Sequence, residues 1–477
     1  MKRSRRRLPL VVAGTCLAVL LGYAALDAGG IVPGVLTTSP LPPPAPTATP
    51  GTRTLPVVPQ PTPSTSVGMP LSPLSGAGSA PSAAGVRKKL DPVLALPALA
   101  DASFVVRDGQ TGTVLLDEHG ARPRVPASTT KLLSAAAIGQ VFGPGEVLTT
   151  RVVRGASAGS VVLVAGGDSL LAPGRGRPAA VAGHAGLADL ADQVAKALRT
   201  AGTERVTVSV DLGYAAGPLV APTWSPSFRP DGVTGAVAML GRSDQRALPG
   251  RPGPADPVES TLDAFVARLD ETGVAARKAA SPRTSAPADA PVLGSVRSAP
   301  VLDQLALALT ESDNALTEIL ARQAAYRAAA GTSFADVGAW VVARVAELGV
   351  PVTGASLRDA SGLSRQNRVT ALLLTDLLAK AYDGRHLSLA RAFEGLPVAG
   401  LSGTLADRYR SGAGHDAAGR ARAKTGTLTG VDALAGNVVD DDGHLLVYAG
   451  LVAEAPAEQA RAGLDRFVGT LAACGCR

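Results

Sequence analysis

The sequence predicts an α+β protein in which helices pack on an antiparallel sheet and a smaller α/β domain interrupts the chain. One hairpin pattern opens the folded part, and a second lies near the C-terminus. Long helical patterns lie between and after these hairpins. Over residues 151–297 the pattern changes to alternating strands and helices with loops rich in Pro and Gly. Segregated strands and helices with an insertion are typical of the α+β class.

The first hairpin is the segment "SFVVRDGQTGTVLLDE", with two β-rich runs around turn residues 108–112. The segment "STTKLLSAAAIGQVF" follows it and carries apolar residues at helical spacing. Ser128 lies near the start of this predicted helix, where the helix dipole favours an anion.

The predicted inserted domain covers residues 151–297. Its segments "SVVLVAGGDSLL" and "RVTVSVDLGY" read as strands, and "GLADLADQVAKALRTAG" between them reads as a helix. Stretches rich in Pro and Gly or Pro and Ser at 249–257 and 281–291 predict loops.

The chain returns to the main domain, predicted to comprise 88–150 and 298–477. The helical pattern "VLDQLALALTESDNALTEILARQAAYRAAA" breaks at Ser-Asp-Asn. The segment "VDALAGNVVDDDGHLLVYAGLVAE" predicts two strands around an Asp-Asp-Gly turn. The segment "AEQARAGLDRFVGTLAAC" predicts a closing helix.

The N-terminus predicts a membrane segment. Residues 8–26 are nineteen residues without a charge, long enough to cross a bilayer core, and five basic residues precede them. No clear Ala-x-Ala site follows, so we expect residues 1–27 to be an uncleaved anchor, with a cleaved signal peptide as the alternative. Residues 28–87, rich in Pro, Ser and Thr, predict a disordered linker. The folded domains would then be extracytoplasmic and anchored, or secreted if the segment is cleaved.

The charge and cysteine content argue against several classes of protein. The net charge is +7, but the N-terminal basic residues supply five of these charges. No zinc-finger spacing or basic–aromatic pattern occurs, so nucleic-acid binding is not expected. Three cysteines and five scattered histidines predict no metal site, and no other cofactor is indicated. Whether Cys474 and Cys476 form a disulfide is left open.

Three short motifs carry the chemistry: Ser128-x-x-Lys131, Ser312-x-Asn314 and Lys424-Thr-Gly. Each alone is ordinary, as a helix start, a turn and a strand end respectively. The chain has only eight lysines, and each motif lies in its appropriate context and order. We therefore interpret the set as one catalytic site.

The residue types suit acyl transfer through a serine. A hydroxyl needs a base to become a good nucleophile, and Lys131 shares a helix face with Ser128. Burial and a second cation would lower the pKa of Lys131 so that it can act as that base. We expect Lys424 to be that cation and to hold a substrate carboxylate.

The remaining site residues have predicted roles in binding and proton transfer. Ser312 would relay a proton and Asn314 would hold the substrate amide. Thr425, Gly426 and Thr427 would line the substrate, with both threonine hydroxyls donating to its carboxylate. The backbone N–H groups of Ser128 and Thr427 are the candidate oxyanion donors.

The chain resembles the D-alanyl-D-alanine carboxypeptidases of peptidase family S13, the class C low-molecular-mass penicillin-binding proteins. Besides the three motifs, the resemblance lies in "DASGLSRQNRVT", with Ala360 where Gly is usual, and in "LPVAGLSGTLADRY". It also includes "AGGDSLL", with Ser169 in place of Pro. The spacing between Ser128 and Ser312 is 184 residues, which predicts one main inserted domain.

The resemblance implies a serine β-lactamase/transpeptidase-like fold and removal of the terminal D-Ala from peptidoglycan stem peptides. It implies endopeptidase action on cross-links in many members, and β-lactam antibiotics as covalent inhibitors that acylate the same serine. A serine β-lactamase-like hydrolase is one alternative, although no Glu-x-x-x-Asn candidate lies between Asn314 and Lys424. A non-catalytic cell-wall-binding module of the same fold is another, and the intact Ser128, Lys131 and Lys424 argue against it.

Overall fold

A computed structural model describes residues 19–26 and 80–476. Residues 19–26 are helical. Residues 8–18 of the predicted anchor and residues 28–79 of the predicted linker lie outside the described residues. In the described part of the chain, no helix is both long enough and apolar enough to span a bilayer.

The strands between residues 80 and 476 are, in chain order, β1 (Ala102–Asp108), β2 (Val114–Glu118), β3 (Thr149–Arg154), β4 (Ser160–Val164), β5 (Arg205–Asp211), β6 (Ala275–Arg283), β7 (Val292–Arg297), β8 (Ala421–Leu428), β9 (Val431–Val439) and β10 (Leu445–Ala453). The α-helices of the same range are α1 (Ala83–Leu94), α2 (Thr130–Ile138), α3 (Leu187–Thr200), α4 (Pro257–Glu271), α5 (Val301–Thr310), α6 (Asn314–Arg327), α7 (Phe334–Glu347), α8 (Ala371–Tyr382), α9 (Leu387–Ala392) and α10 (Ala457–Ala472).

The main sheet is antiparallel, in the order β2-β1-β10-β9-β8. Its side chains alternate between two cores, as the two-residue period of a strand requires. Val105, Ala435 and Val447 face helices α2 and α5–α9. Val106 and Tyr448 face α1 and α10 on the other side. Helices thus cover both faces, and the predicted α+β fold class is confirmed.

Helix α1 begins inside the segment that the sequence assigned to the linker. Its first residue is Ala83, and Ser82 caps it by accepting a hydrogen bond from the Gly85 N–H at 3.0 Å. Val86 and Leu90, one turn apart, are fully buried in the core beneath the main sheet. The folded part therefore begins several residues before the predicted end of the linker at residue 87. The sequence did not indicate this, because the surface against which Val86 and Leu90 pack is formed only in the folded protein.

The second sheet is formed by strands β3 to β7, in the order β6-β5-β4-β3-β7. β4, β5 and β6 run parallel, while β3 is antiparallel to β4 and β7. Helices α3 and α4 pack on this sheet around a core of their own. The loops of residues 212–256, between β5 and α4, return to the main body and reach the site described below.

Candidate active site

The three motifs meet at a cleft with a cavity of about 530 Å³. One wall comes from the main domain and the other from residues 232–249 of the inserted region. The predicted site residues that line the cavity are Ser128, Ser312, Asn314, Thr425 and Thr427. Lys131 and Lys424 are fully buried beside it.

Lys131 is held against the candidate nucleophile by three hydrogen bonds. Its Nζ donates to Ser128 Oγ at 2.9 Å, to Asn314 Oδ1 at 2.6 Å and to the Ser361 carbonyl at 2.7 Å. Ser128 lies in the short 3₁₀ turn Ala127–Thr129 that leads into α2, three residues before the lysine. The first predicted pair is therefore within hydrogen-bond reach, as proton transfer requires.

The second pair joins the other two motifs. Lys424 Nζ donates to Ser312 Oγ at 2.9 Å and to the Thr425 carbonyl at 3.0 Å. Asn314 Nδ2 donates a hydrogen bond to the Val233 carbonyl at 2.7 Å. An amide nitrogen has two hydrogens, so one remains for the substrate amide expected from the sequence.

Two non-glycine residues at this site adopt left-handed backbone conformations. Ala127, directly before Ser128, has φ of 47°, and Ser312 has φ of 57°. Each such residue costs on the order of 1–3 kcal/mol, and such strain concentrates at functional sites. The two left-handed positions therefore carry or directly precede the two serine hydroxyls that the lysines contact.

Strand β8 lies against the nucleophile turn because Gly426 has no side chain. A Cβ there would lie 2.8 Å from the Pro126 carbonyl oxygen and 3.1 Å from the Ser128 nitrogen. This proximity places the strand that carries Thr427 beside the Ser128 N–H, as the two predicted oxyanion donors require. Thr427 Oγ1 hydrogen-bonds to Asp432 Oδ1 at 3.2 Å.

The electrostatic surroundings of the two lysines differ. Burial lowers the pKa of Lys131 to about 8, and the carboxylates of Asp359, Glu318 and Asp313 act in the opposite direction. Burial, followed by the charge of Lys131, lowers the pKa of Lys424 well below its ordinary value. The three carboxylates that face Lys131 favour its charged form, whereas Lys131 disfavours the charged form of Lys424. The expected neutral Lys131 and cationic Lys424 stay a prediction.

Sequence reasoning missed two buried acids behind Lys131. Asp359 is fully buried and accepts hydrogen bonds from four donors, including the Trp224 Nε1 of the inserted region at 2.7 Å. Glu318 on α6 is 2% exposed and accepts from the Ala360 and Ser361 N–H groups. Burial and the nearby Asp359 raise the pKa of Glu318 to about 7. Glu318 lies four residues after Asn314, and this spacing was the available signal.

The inserted region also fixes the Ser312 turn. Arg246 donates to Asp313 Oδ2 from two nitrogens, at 2.9 and 2.8 Å, and also contacts Glu311. These two acids flank Ser312 in the chain. A further missed residue is Thr404, whose hydroxyl lies 2.8 Å from the Thr425 hydroxyl in the cleft. The sequence signal for Thr404 was the segment "LPVAGLSGTLADRY", which contains it and is part of the family resemblance.

Groups that could bind a metal were sought among residues 19–26 and 80–476. These residues contain no cluster of three or more His, Cys, Asp or Glu side chains suited to a metal ion. Cys474 and Cys476, left open by the sequence, are joined by a disulfide.

Comparisons with known proteins identify the family of the chain. Residues 86–241 and 243–473 match the D-Ala-D-Ala carboxypeptidase 3 (S13) family. The chain is 33% identical over 472 residues to carboxypeptidase DacB of Mycolicibacterium smegmatis, with 98% of this chain and 96% of that protein covered. It is 30% identical to the D-alanyl-D-alanine carboxypeptidase of Actinomadura sp. strain R39, with 80% and 84% covered.

A solved structure agrees on the fold. Penicillin binding protein 4 (dacB) from Haemophilus influenzae superposes with a TM-score of 0.64 at 18% identity, and the match covers 78% of this chain and 95% of that chain. The family match spans both stretches of the main domain and the inserted region between them. The chain therefore belongs to the D-Ala-D-Ala carboxypeptidase 3 (S13) family, the serine-type D-Ala-D-Ala carboxypeptidases.

Proposed function

We propose that the chain removes the terminal D-Ala from peptidoglycan stem peptides through an acyl-enzyme on Ser128. The observation that carries this proposal is the 2.9 Å hydrogen bond between Lys131 Nζ and Ser128 Oγ at the open cleft. β-Lactams, whose strained amide and carboxylate resemble the terminal dipeptide, are proposed to acylate the same oxygen.

Acylation begins when neutral Lys131 takes the Ser128 proton and Oγ attacks the carbonyl carbon of the penultimate residue. The oxyanion that forms is held by the N–H groups of Ser128 and Thr427. The C–N bond then breaks, and the leaving amine of D-Ala receives the proton from Lys131 through Ser312. In the second half-reaction, water attacks the ester carbonyl and loses a proton to Lys131, and Ser128 Oγ leaves and regains a proton. The products are D-Ala and the shortened stem peptide.

The substrate carboxylate determines which lysine is charged. We propose that Lys131 holds one proton preferentially in the empty cleft, because the three carboxylates that face it favour its charged form. A substrate carboxylate beside Lys424, Thr425 and Thr427 raises the pKa of Lys424. The cationic Lys424 in turn lowers the pKa of Lys131, which becomes the neutral base. The division of roles expected from sequence is thereby proposed for the complex rather than for the free protein.

The proposed activity is tested with the purified folded domain. Incubation with a pentapeptide stem should release D-Ala and leave a tetrapeptide, which mass spectrometry identifies. Incubation with cross-linked dimeric muropeptides tests for endopeptidase action in the same assay. A protein that acylates with penicillin but leaves both substrates intact would contradict the proposed activity.

We also propose that the protein is extracytoplasmic and held at the cell membrane by its N-terminal segment. The support is the uncharged run of residues 8–26 after a basic N-terminus. The full-length protein should sediment with membranes and start near Met1. Release into the medium with an N-terminus after residue 25 would instead indicate a cleaved signal peptide.

A further inference from the structure

Glu318 is a buried acid that the reaction described above does not use. Its side chain belongs to the same face of α6 as Asn314 and Arg322, because the three residues are spaced four apart. The Arg322 guanidinium donates hydrogen bonds to the carbonyls of Val237 and Pro218 in the inserted region. The Glu318 carboxylate instead accepts hydrogen bonds from backbone N–H groups of the loop beneath the nucleophile.

These backbone bonds connect Glu318 to the candidate base through a single residue. Glu318 Oε1 accepts from the Ser361 N–H at 2.7 Å and from the Ala360 N–H at 2.9 Å. The Ser361 carbonyl accepts from Lys131 Nζ at 2.7 Å. The loop has little freedom to move, since a Cβ on Gly362 would lie 1.9 Å from the Ala127 carbonyl oxygen. A displacement of Glu318 would therefore be transmitted to Lys131.

The negative charge of Glu318 calls for an explanation beyond these two bonds. A glutamine oxygen could accept both N–H groups without the desolvation penalty of a buried carboxylate. That penalty is visible in the pKa of Glu318, which burial and Asp359 raise to about 7. The group that benefits from the charge is Lys131, whose ammonium form Glu318 favours.

Lys131 and Glu318 have several other charged neighbours. Asp313 and Glu318 face Lys131 from the α5–α6 segment, Asp359 faces it from the loop below, and Lys424 faces it from β8. Glu318 itself is faced by Asp359, Arg322 and Lys131.

We propose that Glu318 is a positioning residue for acylation, which holds the Ser361 carbonyl against the Lys131 amine and places a negative charge behind it. The charge keeps a proton on Lys131 until a substrate carboxylate binds near Lys424. This inference rests on the proposed role of Lys131 as the base. Failure of wild-type Ser128 to be acylated would refute that role, whereas the variants below test Glu318 in a protein that acylates.

The two functions of Glu318 can be separated by two substitutions. Glu318→Gln keeps an acceptor for the Ser361 N–H but removes the charge. Glu318→Asp keeps the charge, but its side chain is shorter by one methylene group. The carboxylate is thereby moved away from the Ser361 N–H. Glu347→Gln at the exposed end of α7 makes the same charge change away from the site and serves as the control.

Lysine labelled with ¹³C at Cε allows Lys131 to be titrated directly by NMR, and the signal lost in Lys131→Arg assigns it. Glu318→Gln should fold and lower the Lys131 midpoint by roughly one pH unit, because a facing negative charge is gone. Glu318→Asp should leave the midpoint near its wild-type value and slow penicillin acylation by roughly tenfold, because the Ser361 carbonyl shifts. Glu347→Gln should change neither quantity.

Each contrary outcome would overturn the proposal. An unchanged Lys131 midpoint in Glu318→Gln would show that the charge does not act on Lys131. Wild-type acylation by Glu318→Asp would show that the carbonyl does not depend on the acceptor. Failure of Glu318→Gln to fold, measured by thermal unfolding, would show that the charge supports the fold instead.

Discussion

Replacing Lys424 with arginine should reverse the pH dependence of penicillin acylation around pH 8. On the proton distribution proposed above, the two buried lysines of the wild-type protein together hold two protons at low pH and none well above the Lys131 pKa of about 8. The form with one proton acylates, because the β-lactam carboxylate draws that proton to Lys424 and leaves Lys131 neutral. The two steps belong to the pair of lysines rather than to either one.

The size of the effect follows from the Lys131 pKa. Above a pKa of about 8, the one-proton form decreases about tenfold per pH unit, so about a tenth remains at pH 9. The wild-type second-order rate constant, which reports the free protein, should fall accordingly. An arginine at 424 keeps its charge at every pH of the assay. Lys131 then needs only to lose its own proton, so the rate should rise to a plateau instead of falling.

The assay is the rate of covalent labelling by a fluorescent penicillin between about pH 6 and 10. Thermal unfolding of Lys424→Arg at each pH controls for loss of fold. Lys131→Arg is the complementary variant and should lose acylation at all pH values, because a guanidinium cannot accept the serine proton. A wild-type rate that still rises above pH 9, or a Lys131→Arg variant that acylates, would refute the assignment of the proton.

Two further substitutions test how neighbouring elements hold the site. Arg246→Ala leaves the largely buried Asp313 carboxylate without its cation, which should lower the free energy of unfolding by about 1–3 kcal/mol. The Ser312 turn should then relax, and acylation should slow by roughly tenfold. Gly426→Val forces β8 away from Ser128, because even a Cβ lies 2.8 Å from a carbonyl oxygen, and should abolish acylation while the protein stays folded. Both effects are measured as labelling rates together with thermal unfolding.

Matched substitutions control for these changes. Arg175 forms surface ion pairs in the same inserted region, so Arg175→Ala should leave acylation unchanged. A Cβ on Gly143 would have no other atom within 4 Å, and the backbone there is not left-handed, so Gly143→Ala should also be silent. Equal losses in a test variant and its control would show a general effect on folding rather than an effect on the site.

The elements and motifs of the main domain were predictable because their signals are local. The Ser128-x-x-Lys131 pair is three residues apart at a helix start, and the break at Ser312–Asn314 lies in an otherwise continuous helical pattern. The Asp-Asp-Gly turn between two strand-like runs predicted β9 and β10. Helix α1 was partly missed because its apolar residues follow a long Pro-rich stretch and include Pro92 near the helix end.

The contacts made by the inserted region could not be predicted, because they join residues far apart in the chain. Asn314 meets the Val233 carbonyl across 81 residues, and Arg246 meets Asp313 across 67. Neither Val233 nor Arg246 belongs to a motif. The acids that face Lys131 were missed for the same reason, since only the fold places Asp359 behind Lys131.

Covalent modification of Ser128 tests the account most directly. After incubation with penicillin, the intact mass of the wild-type protein should increase by one penicillin, and peptide mapping should place the addition on Ser128. Ser128→Ala, with an unchanged thermal unfolding curve, should gain no mass. An equal mass increase in folded Ser128→Ala, or an adduct mapped to another residue, would contradict the assignment of the nucleophile.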